Sequence, residues 1–127
     1  MIAVIFEVLP HAQHRDAYFA IAKDLRPILE TIDGFISIER FESMAEPGKV
    51  LSLSFWRDKQ AVMAWRNIGE HRMAQHEGRN TIFKDYRLRV ADVLRDYGMH
   101  QRTETPIDSR NQHDGVLSSE NTDKSHE

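Results

Sequence analysis

The chain has 127 residues and no cysteine, with 17 Lys and Arg side chains against 20 Asp and Glu. This length fits one compact domain, and the lack of cysteine excludes disulfide frameworks, thiolate zinc sites, cysteine nucleophiles and iron–sulfur clusters. Residues 1–99 hold 14 basic and 14 acidic side chains, so the net charge of −3 lies entirely in the last 28 residues. A body of balanced, scattered charge argues against nucleic-acid binding and against recruitment to an anionic membrane.

The N-terminal residues predict neither export nor a membrane anchor. The run MIAVIFEVLP has no basic segment before it and is interrupted by Glu7, which differs from a secretory signal. No stretch reaches the roughly 18 apolar residues expected of a membrane span. We therefore expect a soluble, cytoplasmic protein without a membrane or nucleic-acid partner.

The first two predicted elements are a strand and a helix. Residues 2–9 are rich in β-branched and aromatic side chains and stop at Pro10, which is typical of a strand. Apolar residues occupy both faces of this strand, so neither face is predicted to be solvated. From about Gln13 the apolar residues recur every three or four positions, which predicts an amphipathic helix with a kink or a restart at Pro27, ended by Asp33-Gly34.

Two further strands are predicted at residues 35–42 and 50–57, joined by a polar loop that contains Pro47-Gly48. The second of these strands alternates two sets of side chains: Leu51, Leu53 and Phe55 on one face, and Ser52, Ser54 and Trp56 on the other. We interpret the leucine face as core. The serine face suits the floor of a cavity.

The remaining body contains a helical region and a long strand-forming segment. Asp58 is predicted to cap a helix, and Gly69 to break it before a second helical piece that ends near Gly78. Residues 81–97 favour strand but are too long for one strand of a small sheet. Either a bulge near Ala91-Asp92 divides them, or their end leaves the protomer.

The predicted order is β-α-β-β-α-β, the ferredoxin-like α+β arrangement, with two helices on one face of an antiparallel four-stranded sheet. Apolar residues on the other face then need a partner, for which a second copy in a homodimer is the simplest candidate. We predict a domain of residues 1–98 and a polar, acidic tail of residues 99–127, either disordered or an extended arm.

Candidate site residues lie on the first strand and around the second helical region. Trp56 and Trp65 are either core aromatics or a flat wall for a planar ligand. Glu7 is either a rim residue bonded to an arginine nearby or a cavity carboxylate with a raised pKa.

The segment of residues 70–79 brings together His71, His76, Arg72 and Arg79. Each histidine is either an exposed or structurally bonded residue, or a proton carrier or haem ligand. An uninterrupted helix would place His76 on the face of Trp65, whereas a break at Gly69 favours His71. Their spacing of five differs from the i, i+4 pair that binds zinc from one helix, so no zinc site is expected.

The runs IDGFISIERFES, LSLSFWRDKQAVMAWRN, EHRMAQ and DYRLRVADVLRDYG resemble the antibiotic biosynthesis monooxygenase superfamily. The resemblance implies a dimeric α+β barrel with a pocket between sheet and helices. It also implies oxidation of a small aromatic or quinol-type substrate by O2 without flavin, metal or other cofactor. In such a pocket Trp65 and Trp56 would form walls with Glu7 nearby, His71 or His76 would move a proton, and Arg72 or Arg79 would hold an anionic group.

Two alternatives accompany this expectation. The haem-degrading branch of the same superfamily has an Asn on strand one, a Trp in the second helical region and a haem-binding His ten residues later. Here Trp65 matches, but Glu7 takes the Asn position and Gln75 stands ten residues on, with His76 one place further. The other alternative is a non-catalytic barrel that binds a small ligand or acts in a stress response.

Overall fold

The computed structural model describes residues 1–75 and 79–108, without the side chains of residues 70–75 and 79–80. The helices and strands follow the order β1 (Ile2–Pro10), α1 (Arg15–Leu29), β2 (Phe35–Glu42), β3 (Val50–Trp56), α2 (Lys59–Gln75), α3 (Arg79–Ile82) and β4 (Phe83–Asp92). A short 3-10 turn, Ala12–His14, precedes α1. All of these elements belong to one compact unit, Met1–Asp92.

The strands form one antiparallel sheet in the order β2-β3-β1-β4. With α1 and α2 between the paired strands, this is the ferredoxin-like α+β fold, and the prediction is confirmed. The longest pairing joins β1 to β4, with a register shift between Leu9 and Pro10. The two edge strands are β2 and β4.

Both long helices pack on the same face of the sheet, which we call the inner face. It carries the even-numbered residues of β1 and β3. One core cluster joins it to α1 and the start of β4 through Val8, Tyr18, Ile21, Leu25, Val50, Ile82 and Phe83. A second joins it to the end of α1 and the start of α2 through Ile2, Val4, Leu29, Ile38, Trp56 and Ala61.

The opposite, outer face of the sheet corrects the interpretation of β3. Leu51, Leu53 and Phe55 were expected to face the core, yet they lie on the outer face and are only half-buried. The serine face is the inner one, where Ser52 and Ser54 are 5% and 2% exposed. The strand pattern showed that the two faces differ, but the helices are long-range neighbours whose side β3 alone does not specify.

Two helix boundaries also differ from the prediction. Helix α1 ends at Leu29, two residues after Pro27, and a run of turns continues to Gly34. Helix α2 continues through Gly69 to Gln75, so the predicted break at Gly69 is wrong. A glycine inside a helix lowers stability by roughly 1 kcal/mol, but packing of the neighbouring turns can offset that cost.

The segment of residues 81–97 divides into three parts. Residues 81 and 82 belong to α3, β4 ends at Asp92, and a second compact unit begins at Val93. The irregularity in pairing lies at Leu9/Pro10 on β1, not at Ala91-Asp92. Within the second unit the Asp96 N–H donates to the Glu104 carboxylate at 2.7 Å.

The predicted division into residues 1–98 and a tail of residues 99–127 stays a prediction, since residues 109–127 lie outside the described residues. None of the helices described here is long and apolar enough to cross a membrane.

The start of α2 is fixed by the residues on both sides of it. Asp58 caps the helix, as predicted, because its Oδ1 accepts a hydrogen bond from the Ala61 N–H at 3.0 Å. Gly34 lies beside this turn with φ of 95°, and an added Cβ would lie 2.8 Å from the Ala61 Cβ. The close approach and the left-handed conformation together require glycine there.

Candidate active site

A cavity of about 270 Å³ lies between the inner face of the sheet and the helices α1 and α2. Most of its lining is apolar or aromatic. The residues from the helices are Tyr18, Ile21, Ala22, Leu25, Leu29, Trp65, Arg66 and Gly69, and those from the sheet are Phe6, Arg40, Ser52, Phe83, Tyr86 and Leu88. This volume falls near the lower limit of small-molecule pockets, roughly 300 to 1,000 Å³, and suits a small substrate.

The floor of the cavity is one row of side chains that crosses all four strands. Ser52 of β3 pairs with Arg40 of β2 on one side and with Phe6 of β1 on the other. Phe6 pairs in turn with Leu88 of β4. All four line the cavity. The row therefore changes from cationic at β2 to aliphatic at β4.

The hydroxyls of Ser52 and Tyr18 lie beside Arg40 at the β2 end of this row, whereas Tyr86 of β4 and Arg66 of α2 place further polar groups elsewhere in the lining. Arg40 is half-buried, and its Nε donates to the Tyr18 hydroxyl at 3.4 Å. Tyr18 is 4% exposed, and its ring packs edge-on against Phe19 and Phe83 at centroid distances of 5.2 and 5.8 Å. This packing fixes the phenol beside the guanidinium.

The two tryptophans have different surroundings: Trp65 lies in the cavity wall and Trp56 lies in the core. Trp65 is half-buried and lines the cavity, as the wall interpretation requires. Trp56 has no exposed surface and is a core residue, whose Nε1–H donates to the Ser54 hydroxyl at 2.8 Å. The two rings lie 5.8 Å apart. Trp56 therefore packs against the ring of Trp65 and is not among the residues that line the cavity.

Glu7 lies on the outer face, away from the cavity. Its carboxylate binds the Lys49 Nζ at 3.1 Å and the Arg89 Nη1 at 3.0 Å. The hydrogen bond from Lys49, followed by the charges of Lys49 and Arg89, lowers the pKa of Glu7 below its ordinary value. The interpretation as a residue bonded to a neighbouring arginine is therefore confirmed, and the raised pKa in a cavity is wrong, since β1 turns this side chain outward.

The remaining candidates lie on the segment after Gly69. His76 is outside the described residues, and so are the side chains of His71, Arg72 and Arg79. The backbone of α2 is continuous from Trp65 to Gln75, so the helical phase is not reset at Gly69. The proposed roles of these four residues stay predictions.

Sequence reasoning missed Arg40, Tyr18 and Arg66 as cavity residues. Arg40 shares its strand face with Ile38, which is buried in the core. An arginine two positions from a buried isoleucine lies on the same side of a strand, which is the signal that could have found it. Among the described residues no three His, Asp or Glu side chains lie close enough to hold a metal ion.

Comparison with known proteins agrees with this geometry. The family model for antibiotic biosynthesis monooxygenases matches residues 1–77. The chain belongs to the antibiotic biosynthesis monooxygenase family. The match covers the row Arg40, Ser52 and Phe6 and the wall residue Trp65, so the cavity lies largely in the part that the family shares.

Individual relatives add detail to the family assignment. The chain is 47% identical over 116 residues to the jasmonate monooxygenase ABM of Pyricularia oryzae, a match that covers 90% of this chain. The chain spans about half of that relative, 54% of its length.

Solved structures show the same fold. Rv0793 from Mycobacterium tuberculosis is 20% identical with a TM-score of 0.65, covering 76% of this chain and 98% of that one. A mutant of MhuD with two manganese protoporphyrin IX molecules per active site is 18% identical with a TM-score of 0.59, covering 77% and 99%.

Proposed function

We propose that the chain is a monooxygenase whose cavity holds a small, mostly apolar substrate while O2 reacts with it. The observation that carries this proposal is the cavity beside Trp65, formed in a member of the monooxygenase family. O2 is apolar and partitions into such a space. Helices α1 and α2 cover the inner face and limit the access of water, which protects a reactive substrate anion.

The proposed substrate is an electron-rich aromatic molecule, such as a phenol or hydroquinone. One hydroquinone and one O2 give one hydroxyquinone and one water, so the substrate supplies every electron and no cofactor is needed. One oxygen atom forms the new bond to ring carbon, and the other leaves as water with the two hydrogens lost by the substrate. The aromatic rings of Trp65 and Phe6 line the cavity and offer contact surfaces for such a molecule.

A base that removes the first proton completes this mechanism, and we assign it to His71 or His76. Both follow Trp65 in the sequence, and α2 runs without interruption through position 71. Neutral imidazole accepts a proton near pH 7. Arg72 or Arg79, on the same segment, is proposed to stabilise the resulting anion.

The relative from Pyricularia oryzae suggests a second substrate to test, since its name specifies jasmonate. Jasmonate fits the mostly apolar lining of the cavity. Insertion of one oxygen atom into a saturated carbon–hydrogen bond needs two further electrons, which an added reductant must supply. If the protein turns over jasmonate in the presence of the added reductant but does not turn over hydroquinones, the cofactor-free proposal is contradicted.

Haem binding rests on His76, which lies outside the described residues. Among the described residues of the cavity, Tyr18 and Tyr86 are of a type that ligates haem iron. The Tyr18 hydroxyl already accepts a hydrogen bond from Arg40. No step of the proposed mechanism uses haem.

We also propose that two copies associate through the outer face. It carries Ile5, Leu51, Leu53 and Phe55, which are half-buried, and Phe41, which is 44% exposed. None of these five belongs to a core cluster of the described residues. A second copy of the same surface would remove this apolar area from water.

Oxygen uptake by the purified full chain tests the activity, with a panel of substituted hydroquinones as substrates. We expect uptake that falls at least tenfold in Trp65→Ala and in one of His71→Ala and His76→Ala. His100→Ala is the matched control, because His100 is exposed and belongs to the second unit. Full activity in both histidine variants would overturn their role, and no uptake with any hydroquinone would overturn the proposed reaction.

A further inference from the structure

We propose that Arg40 binds a carboxylate on the substrate, so that the cavity selects an acidic molecule with an apolar body. This proposal rests on the proposed function in that it concerns the same cavity. It adds a ligand class and a specificity residue that the family assignment does not supply.

The cavity floor changes in chemical character from one edge of the sheet to the other. The row Arg40, Ser52, Phe6 and Leu88 places a cation at β2, a hydroxyl next to it, and then an aromatic and an aliphatic side chain. Neighbouring strands are about 4.8 Å apart, so the row spans roughly 14 Å. A molecule lying along it meets charge at one end and apolar surface at the other.

Arg40 has no carboxylate partner among the residues whose side chains are described. Among the described residues that line the cavity there is no Asp or Glu. Nor does any carboxylate in the described part of the chain form an ion pair with Arg40, whereas Arg57 and Arg89 each have such a partner. A half-buried charge is stabilised by an opposite charge, which here the ligand can provide.

The guanidinium of Arg40 uses only one of its nitrogens to bind a described residue. Its hydrogen bond to a described residue uses Nε, which donates to the Tyr18 hydroxyl. The two Nη groups have no hydrogen-bond partner among the residues described here, and a pair of guanidinium N–H groups matches the two oxygens of a carboxylate. Tyr18 is buried and held by aromatic neighbours, so it acts as a positioning residue for Arg40.

Charge on the helix side agrees with this assignment. Arg66 of α2 also lines the cavity and is exposed. Among the described residues, the lining of this cavity holds two cations and no carboxylate. Cations around a cavity favour entry of an anion over a neutral molecule of the same shape.

The test compares two hydroquinones of nearly the same shape, 2,5-dihydroxyphenylacetic acid and its methyl ester. Binding is measured by calorimetry without O2, so that no turnover is required. We expect the wild-type protein to bind the acid about ten- to hundredfold more tightly than the ester, as for a charge-assisted hydrogen-bonded pair. Equal affinity for acid and ester would overturn the proposal.

Substitution of Arg40 locates the preference. Arg40→Gln should remove this preference, because it weakens binding of the acid and leaves binding of the ester unchanged. Retained binding of the ester would show that the cavity is intact. Arg40→Lys keeps the charge but not the paired N–H groups of the guanidinium, so it should retain part of the preference. This variant replaces Arg40→Gln in the test if Arg40→Gln does not fold. Equal loss for acid and ester in Arg40→Gln, or an undiminished preference in that variant, would contradict the proposal.

Two further variants separate positioning from general charge. Tyr18→Phe should weaken binding of the acid a few-fold and binding of the ester less, because the Tyr18 hydroxyl positions Arg40. Arg15→Gln is the matched control, since Arg15 donates to the Gly48 carbonyl and Glu42 outside the cavity. Arg15→Gln should keep the full preference for the acid over the ester. Loss of that preference in Arg15→Gln would mean that net charge decides binding.

Oxygen uptake with the same pair distinguishes the two proposals. An Arg40-dependent preference for the acid without uptake of O2 supports the carboxylate site and contradicts the monooxygenase. Uptake with both compounds, and no difference in their binding, supports the monooxygenase and contradicts the carboxylate site.

Discussion

The inner and outer faces of the sheet are built from opposite patterns. The inner face, under the helices, includes Ser52, Ser54 and Arg40, whereas the outer face carries the leucines of β3 and Phe55. A simple count of apolar residues on β3 would place the core on the wrong side. Short side chains beneath α1 and α2 leave space for a cavity, and large apolar side chains on the outer face leave surface for a partner.

This difference predicts that the inner face binds a substrate and that the outer face contacts a second copy. The inner face is packed where Trp56 joins Val4 and Leu29, and it opens toward Ser52 and Arg40. The outer face has a charged cluster, Glu7 with Lys49 and Arg89, beside its apolar residues. Variants on one face should therefore change properties that variants on the other face leave intact.

The largest effect is expected from the packed part of the inner face. Trp56→Ala removes a fully buried indole and the hydrogen bond to Ser54. We expect a loss of about 3 to 5 kcal/mol in the free energy of unfolding, as for other large-to-small core changes. Urea denaturation followed by circular dichroism measures it.

Trp65→Ala is the matched control, because the same side chain is removed from a cavity wall that is half-buried. Its loss of stability should be about half as large, while its effect on oxygen uptake should be the greater of the two. Equal losses of stability in the two variants would contradict the division of the inner face into packed core and cavity.

The next effect belongs to the outer face. Leu53→Arg places a charge among half-buried apolar residues that face away from the helices. We expect it to convert a dimer into a monomer at micromolar concentration, since an unpaired charge would be buried in the interface. Sedimentation velocity measures the change in mass.

Met63→Arg is its control, because Met63 lies on α2 and is 53% exposed. It should leave the oligomeric state unchanged. A wild-type protein that is monomeric at this concentration would refute the association through the outer face, and so would a dimer that survives Leu53→Arg.

The order of elements could be predicted from the sequence because hydrophobic period changes at each boundary. Alternation in β3 and the three- and four-residue steps in α1 are local signals that one chain segment carries by itself. The side of β3 that meets the helices is not a local property. The alternation predicts a core for the leucine face, whereas the serine face, predicted as a cavity floor, is the one that lies under the helices. Glu7 was recognised as exceptional for the same local reason, yet its partners Lys49 and Arg89 come from elsewhere in the chain.

The candidate site was predicted in part for similar reasons. Trp65 was found because a tryptophan stands out on a helix, and it lines the cavity. Arg40 was not, because its position two residues after Ile38 indicates only its strand face, and its neighbours Ser52 and Phe6 follow from the strand register. Strand register, which depends on all four strands, is what turns these residues into one row.

The smallest effect concerns the charged cluster of the outer face. The hydrogen bond from Lys49 and the nearby Arg89 lower the pKa of Glu7 below 4.5, its ordinary value. Its ionised form therefore stabilises the folded state above about pH 4.5, and this contribution is lost as the pH falls through the lowered pKa. Glu7→Gln should lower the melting temperature slightly at pH 7, and the gap to wild type should close on acidification and shrink in high salt. Glu39→Gln, an exposed change on the same face, is the control, and its difference in melting temperature from wild type should not close on acidification. A difference for Glu7→Gln that widens below pH 4.5 would contradict the assigned ion pairs.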